Sequence, residues 1–167
     1  MEHMNIGRMT AAMYRTGQGI LANRLQHLDL NGGQMDCLLV ITLREGLSQM
    51  ELAQLLFAGK SVTAKWVKVL IEKGYVRRQA DDQDKRVCHL YLTEKGRAAA
   101  PAVQQIFREQ VQLHLQNLTK AEALQLTQLM EKVLAGLLQE KERLESLTEK
   151  PTPENRSAYE NEKNNQS

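Results

Sequence analysis

The chain has 167 residues, 42% of them hydrophobic and 25% charged, with 22 Lys and Arg against 20 Asp and Glu for a net charge of +2. That is enough apolar chain to bury a core without disulfides or a structural metal, and the length alone suggests one domain. No apolar run reaches the ~18 to 20 residues of a membrane span, the first residues lack the plan of a signal peptide, and Cys37 and Cys88 have no metal-ligand spacing. A cytoplasmic protein in a reducing compartment is expected.

Ile6, Met9, Met13, Ile20, Leu21, Leu25 and Leu28 recur at helical spacing, with Arg8, Arg15 and Arg24 among them, which predicts a long amphipathic helix over residues 6–28. Asn31, Gly32 and Gly33 read as a break. The dense apolar group Met35, Leu38, Leu39, Val40, Ile41 and Leu43 then predicts a buried second helix over 34–44, ended at Gly46. Ser48 followed three residues later by Glu51 is a capping box, in which the hydroxyl accepts from the third amide and the carboxylate reaches back. The third helix that starts there carries Leu52, Ala53, Leu55 and Leu56 and closes in the turn Phe57, Ala58, Gly59 before a fourth helix over 60–73. Two short helices across a tight turn, with small Ala53 where the axes can cross, form a helix-turn-helix pattern.

At 100° per residue the fourth helix places Thr63, Trp66, Val67 and Leu70 inward and Ser61, Lys65, Lys68 and Glu72 outward. Val62 and Ala64 flank the outward face near the N-terminus, the end that meets base edges in a helix-turn-helix. Gly74 after Lys73 is a left-handed stop. Strands over 75–78 and 87–92 then make a hairpin with the charged tip Asp81, Asp82, Gln83, Asp84, Lys85, Arg86. In the second strand Cys88, Leu90 and Leu92 share an inner face, opposite Val87, His89 and Tyr91. Residues 60–86 hold eight Lys and Arg against four Asp and Glu, whereas 119–167 hold seven against nine. The positive field is local and suits a polyanion.

Thr93 caps a fifth helix to about residue 117, in which Pro101 is expected to cause a bend or interruption. A sixth helix over 120–147 repeats Leu126, Leu129, Val133, Leu137 and Leu144, widened by Met130, Leu134 and Leu138. These last helices carry more apolar surface than a small helix-turn-helix covers, so with the first helix they are candidates for a dimer interface. Pro151, Pro153 and the polar run around them predict a disordered tail over 148–167.

The order and spacing of Leu-Ser-Gln-Met-Glu-Leu-Ala at 47–53, the fourth helix with its Glu-Lys-Gly ending at 72–74, the acidic-basic tip at 81–86 and Leu-Thr-Glu-Lys-Gly-Arg at 92–97 resemble the MarR family of bacterial transcription regulators. The resemblance covers residues 5–147. It implies a mainly α fold with a small β-hairpin wing, a winged helix-turn-helix with N- and C-terminal dimerisation helices. Residues 1–147 would be the domain, with a DNA-binding lobe at about 34–92 and dimerisation helices at about 5–28 and 93–147.

The implied function is a sequence-specific DNA-binding regulator, a ligand-released repressor bound to a palindromic operator as a homodimer. By that resemblance the fourth helix is the recognition helix, with Lys60, Ser61, Val62, Ala64, Lys65 and Lys68 at the DNA. The wing supplies Asp84, Lys85 and Arg86, with Arg86 in the minor groove and Asp84 holding the wing in place. The chemistry agrees: a guanidinium suits a narrow electronegative groove, and lysines neutralise phosphates with release of counterions. Ser61 and Lys65 can read base edges, and Val62 or Ala64 can meet thymine methyls. Gly59, Ala64 and Lys65 depart from the family pattern, which often has a capping residue and then a Thr-Arg pair at these positions, so a capping side chain, a hydroxyl and a bidentate fork are lost.

Family members often respond to phenolic or lipophilic compounds, and such an effector would here meet the first, second and fifth helices. Met13, Arg15, His27 and Met35 lie in that region but read as ordinary core or surface residues. A redox-responsive variant would use a cysteine in the first helix, which this chain lacks; Cys37 and Cys88 read as buried inert thiols. A metal-responsive variant would need His3, His27, His89 and His114 to gather from scattered positions. No catalytic motif, cofactor or metal site is expected. The remaining alternative, a winged-helix interaction module without DNA binding, gives no reason to keep Lys65, Lys68, Lys85 and Arg86 together. The expected partners are double-stranded DNA, a second copy of the chain and a small-molecule effector, with no membrane.

Overall fold

A computed structural model describes residues 5–82, 84 and 87–148, so His3, Lys85, Arg86 and nearly all of the expected tail lie outside the described residues. The elements run α1 (Ile6–Leu25), a 3-10 turn (Gln26–Leu28), α2 (Gly32–Leu43), β1 (Leu47–Ser48), α3 (Gln49–Leu55), α4 (Lys60–Glu72), β2 (Val76–Ala80), β3 (Cys88–Leu92), α5 (Glu94–Leu115) and α6 (Lys120–Thr148). The fold is the mainly helical winged helix-turn-helix expected of the resemblance. It divides into two compact units, Met1–Gln116 and Asn117–Ser167.

In the first unit the core gathers on α2. Met35, Cys37, Leu38 and Ile41 have no exposed surface, and they share one cluster with Leu21 and Leu25 of α1, Leu52 of α3, Val67 and Leu70 of α4, Leu90 and Leu92 of β3, and Val103 and Ile106 of α5. Each fully buried aliphatic side chain contributes roughly 1.5 to 3 kcal/mol. The sheet is antiparallel in the order β1-β3-β2, with Leu47 opposite Leu90 and Val76 opposite Leu92. The two-residue β1 was not foreseen. It joins the entry of the helix-turn-helix to the hairpin.

Three expectations change. Asn31, Gly32 and Gly33 do not break the chain: Asn31 caps α2, accepting from the Gln34 amide at 3.0 Å while Gln34 Oε1 accepts from the Asn31 amide at 3.0 Å, and both glycines lie in the first helical turn. Gly33 sits under the Trp66 ring, so close that a Cβ there would stand 2.3 Å from a ring carbon. Of the bend or interruption expected at Pro101, the interruption is absent: α5 is continuous from Glu94 to Leu115. A proline removes one helical donor, and buried Ala99, Ala100, Val103 and Ile106 hold the helix on both sides of it. Cys88 is half-buried rather than part of the core.

The motif that opens α5 has a packing reason. The Thr93 hydroxyl accepts from the Gly96 amide at 3.1 Å, and Gly96 lies against the chain after α4, where a Cβ would stand 2.1 Å from the Tyr75 carbonyl oxygen. Arg97 pairs with Glu45 through both terminal guanidinium nitrogens, Nη1 and Nη2. In the second unit Thr119 starts α6: its hydroxyl oxygen accepts from the Glu122 amide, and its amide and hydroxyl both donate to the Glu122 carboxylate, which they hold below its ordinary range. Along α6, Leu126, Leu129, Met130, Val133, Leu137 and Leu144 are exposed.

Candidate nucleic-acid interface

The helix-turn-helix is built from its caps upward. Ser48 Oγ accepts from the Glu51 amide at 3.2 Å and Glu51 Oε2 accepts from the Ser48 amide at 2.8 Å, so the capping box forms as expected. Hydrogen bonding to the carboxylate from the Ser48 backbone amide first, then from the Ser48 side chain, holds Glu51 below its ordinary range, helped by Arg44 at 3.5 Å. Ala53 is buried, and the turn passes through Phe57, exposed and in the left-handed region at φ 49°. Gly59 then starts α4 with no side-chain cap, as its lack of a polar side chain requires. The Gly59 carbonyl accepts from the Val62 and Thr63 amides at 3.1 and 3.0 Å and from the Thr63 hydroxyl at 3.2 Å.

Thr63, Val67 and Leu70 turn α4 inward, with Trp66 half-buried against α2. The other side presents Lys60, Ser61, Val62, Lys65 and Lys68, all exposed; Ala64 is half-buried at its margin. Lys68 lies 3.7 Å from Glu72, an exposed helical pair of little energetic weight. Gly74, at φ 72°, closes the helix. Lys73 and Lys95 fasten that end: Lys73 Nζ reaches Asp29 Oδ2 at 2.8 Å, and Lys95 Nζ donates to the Lys73 carbonyl at 2.7 Å and covers the Tyr75 ring.

The wing is the β2–β3 hairpin. Of the three wing residues expected at DNA, Asp84 is described and exposed, while Lys85 and Arg86 lie outside the described residues. The tip is organised by Asp81, which the sequence reading did not single out. Asp81 Oδ1 accepts from the Asp84 amide, the Asp81 amide donates to the Val87 carbonyl, and the Val87 amide donates to the Asp84 carbonyl, each at 2.9 Å. Asp81 Oδ2 lies 2.8 Å from His89 Nε2, and His89 Nδ1 lies 2.8 Å from the Gly46 carbonyl oxygen. These contacts, that with Asp81 first, push the imidazole pKa up from its ordinary value.

On the neighbouring strand Arg78 Nη2 donates to Gln49 Oε1 at 2.8 Å, tying the wing to the first residue of α3, and Arg77 stacks 4.9 Å above the Tyr91 ring. Neither arginine was anticipated. Their adjacent positions before the tip were the only available signal.

Other side chains are settled by their surroundings. Burial pushes the Cys37 thiol up to about 12, with the neighbouring Asp36 charge adding to it. Met35 is core, and Arg15 and His27 are exposed. Met13 lines a groove of about 420 Å³ between α1 and α5 with Ile20, Arg24, Leu113 and His114. A second groove, of about 510 Å³, lies between α2, α3 and α5, lined by Asp36, Val40, Leu43, Leu56, Phe107 and Arg108. Among the described residues no group of three His, Cys, Asp or Glu is placed to hold a metal ion, and no helix is long and apolar enough to cross a membrane.

Known proteins share both the sequence and the architecture. The profile of the MarR family matches residues 28–87. The chain is similar to BilQ, an HTH-type transcriptional regulator of Clostridium symbiosum, at 30% identity over 111 residues, 66% of this chain and 77% of that protein. It is similar to YybA of Bacillus subtilis, an HTH-type transcriptional regulator without assigned role, at 27% over 106 residues, 64% of this chain and 71% of that protein. Among solved structures, the transcriptional regulator SlyA superposes with a TM-score of 0.79 at 26% identity, covering 84% of this chain and 99% of the other. A mutant MarR from E. coli complexed with operator DNA superposes at 0.71 with 27% identity, covering 80% and 96%.

Proposed function

The chain belongs to the MarR family of DNA-binding transcriptional regulators, and from that premise we propose that it is a cytoplasmic repressor that binds a palindromic operator as a homodimer and leaves it when a small molecule binds. The observation that carries this reading is the exposed face of α4, where Lys60, Ser61, Val62, Lys65 and Lys68 stand together beside the hairpin. Lys60, Lys65 and Lys68 supply the sequence-independent attraction to phosphate, and Ser61, Val62 and Lys65 read base edges. Ala64, half-buried, offers at most its methyl group. Lys85 and Arg86 extend the contact to the neighbouring minor groove, with Asp84 within the loop that carries them.

The dimer reading is supported by apolar residues left in water: Ile6, Met9 and Met13 on α1, Phe107 and Val111 on α5, and the exposed leucines of α6. Helices 5–28 and 93–147 would form the dimer and residues 34–92 the DNA-binding lobe. Two copies of α4 related by a twofold then address half-sites ~34 to 36 Å apart. An effector in a groove of the first unit would release DNA by favouring a dimer in which that spacing is wrong. Selection of duplexes from a random pool at defined salt tests the reading, with sedimentation equilibrium of the free protein. Enrichment of an inverted repeat by a dimer is expected; failure to enrich any repeat would return the chain to a non-DNA role of the fold.

A further inference from the structure

One imidazole links the tip of the wing to the turn before β1. His89 stands in β3, the middle strand, opposite Ser48 of β1 and Gln79 of β2. Its two ring nitrogens each lie 2.8 Å from an oxygen, the Gly46 carbonyl at Nδ1 and Asp81 Oδ2 at Nε2. A peptide carbonyl and an ionised carboxylate only accept hydrogen bonds. Neutral imidazole has a single N–H, so it would leave one of these contacts as lone pair against lone pair, whereas the imidazolium donates to both. Asp81 passes the connection on, because its other oxygen accepts from the Asp84 amide within the tip. A continuous polar chain thus runs from the turn before β1, through His89 and Asp81, to the loop that carries Lys85 and Arg86.

We propose that protonated His89 is a positioning residue for the wing, and that DNA binding takes up a proton there, so that affinity for DNA falls as pH rises. The inference rests on the reading that the wing touches DNA.

Among the described residues, the charged groups acting on the ring are Glu51 of α3 and Asp81 of the tip, both negative. Its cross-strand neighbours Ser48 and Gln79 are uncharged; of the cations beside them, Arg44 is engaged by Glu51, and Arg77 donates to Gln79 Oε1 at 2.9 Å and stacks on Tyr91. Both carboxylates favour the imidazolium and only desolvation opposes it, which raises the pKa of the free protein. Phosphates brought to the wing add further negative potential and raise it again. A group whose proton affinity is higher in the complex than in the free protein makes binding weaken as pH rises between the two pKa values, by at most about tenfold per pH unit for each linked proton. The effect belongs to the region around and above pH ~6.5.

The test is fluorescence anisotropy of a duplex enriched from the random pool, at fixed salt from pH 6 to 8.5, with wild type, His89→Gln and Asp81→Asn. Wild type is expected to lose affinity several-fold per pH unit. H89Q should bind with a flat profile near the alkaline wild-type level, and D81N, which keeps the shape but removes the charge, should flatten the profile even if H89Q folds poorly. Nitrogen-15 shifts of the His89 ring should titrate above the ordinary histidine value in the free protein and higher still in the complex. Parallel pH profiles for wild type and both variants overturn the proposal and leave the DNA reading standing. Absence of duplex binding at every pH overturns the DNA reading and the proposal with it.

Discussion

Replacing Gly33 with alanine tests whether α2 and α4 meet as closely as the structure has them. The added Cβ would lie 2.3, 2.4 and 2.8 Å from three carbons of the Trp66 ring, distances at which the ring or the helix must move. Trp66 is a rigid bicycle packed against the core cluster, so it cannot relieve the clash as the end of a flexible chain would. Overpacking of this kind costs about 1 to 3 kcal/mol. Alanine returns up to about 1 kcal/mol of helix propensity, less in a first turn, so the net loss should be about 1 to 2 kcal/mol. At a fixed protein concentration the urea midpoint should fall by about 0.5 to 1 M. Trimming the ring should relieve the clash: Gly33→Ala combined with Trp66→Leu is expected to be less destabilised than the sum of the single changes by about 1 kcal/mol. A Gly33→Ala protein as stable as wild type, with additive behaviour in the double variant, would falsify the close approach.

Further outcomes concern the α3 cap, the exposed face of α4, the wing and the two cysteines. Ser48→Ala removes the acceptor of the α3 cap and should cost about 1 kcal/mol by urea unfolding. Because Glu51 is held below its ordinary value of 4.5, its contribution is present above that pH and lost as pH falls through the lower folded value, so Glu51→Gln should be less stable than wild type near neutrality and converge with it in acid. Lys68→Ala should reduce the slope of log affinity against log salt by about one and weaken all duplexes alike, while Arg86→Ala should weaken the enriched duplex by about 1 to 3 kcal/mol with the dimer intact. A sequence-selective loss at Lys68 would make it a base reader instead. Native thiol labelling at neutral pH should proceed at half-buried Cys88 well before Cys37, whose thiol is buried and pushed up to about 12; equal rates would contradict that placement.

What could be read from the chain was whatever local spacing decides. Thr63, Val67 and Leu70 turn inward because helical geometry leaves no alternative, and Ser48 with Glu51 forms its box within three residues. The parts that escaped depend on neighbours remote in sequence. Gly32 and Gly33 look like a break until Trp66, more than thirty residues away, is laid on Gly33. β1 is two residues long and exists only because β3 passes beside it. Asp81 and His89 face each other across a hairpin whose register no periodicity supplied, and Pro101 keeps its helix because tertiary burial on both sides outweighs one missing bond. On the exposed face of α4 helical spacing was enough to place the lysines outward, whereas the contacts that hold the hairpin in place became visible only in three dimensions.

The position of β3 between β1 and β2 also sets where the chain can be cut and joined. A chimera that exchanged only the hairpin would separate Leu47 from Leu90 and Gly46 from His89, leaving foreign edges on both sides of a seam. One that exchanged the segment from Asn31 through Leu92 would carry its own sheet, both helix caps and the Gly33–Trp66 contact intact. The transplantable module in this protein is therefore the whole stretch from the cap of α2 to the end of β3, and binding preferences should move between relatives as that block.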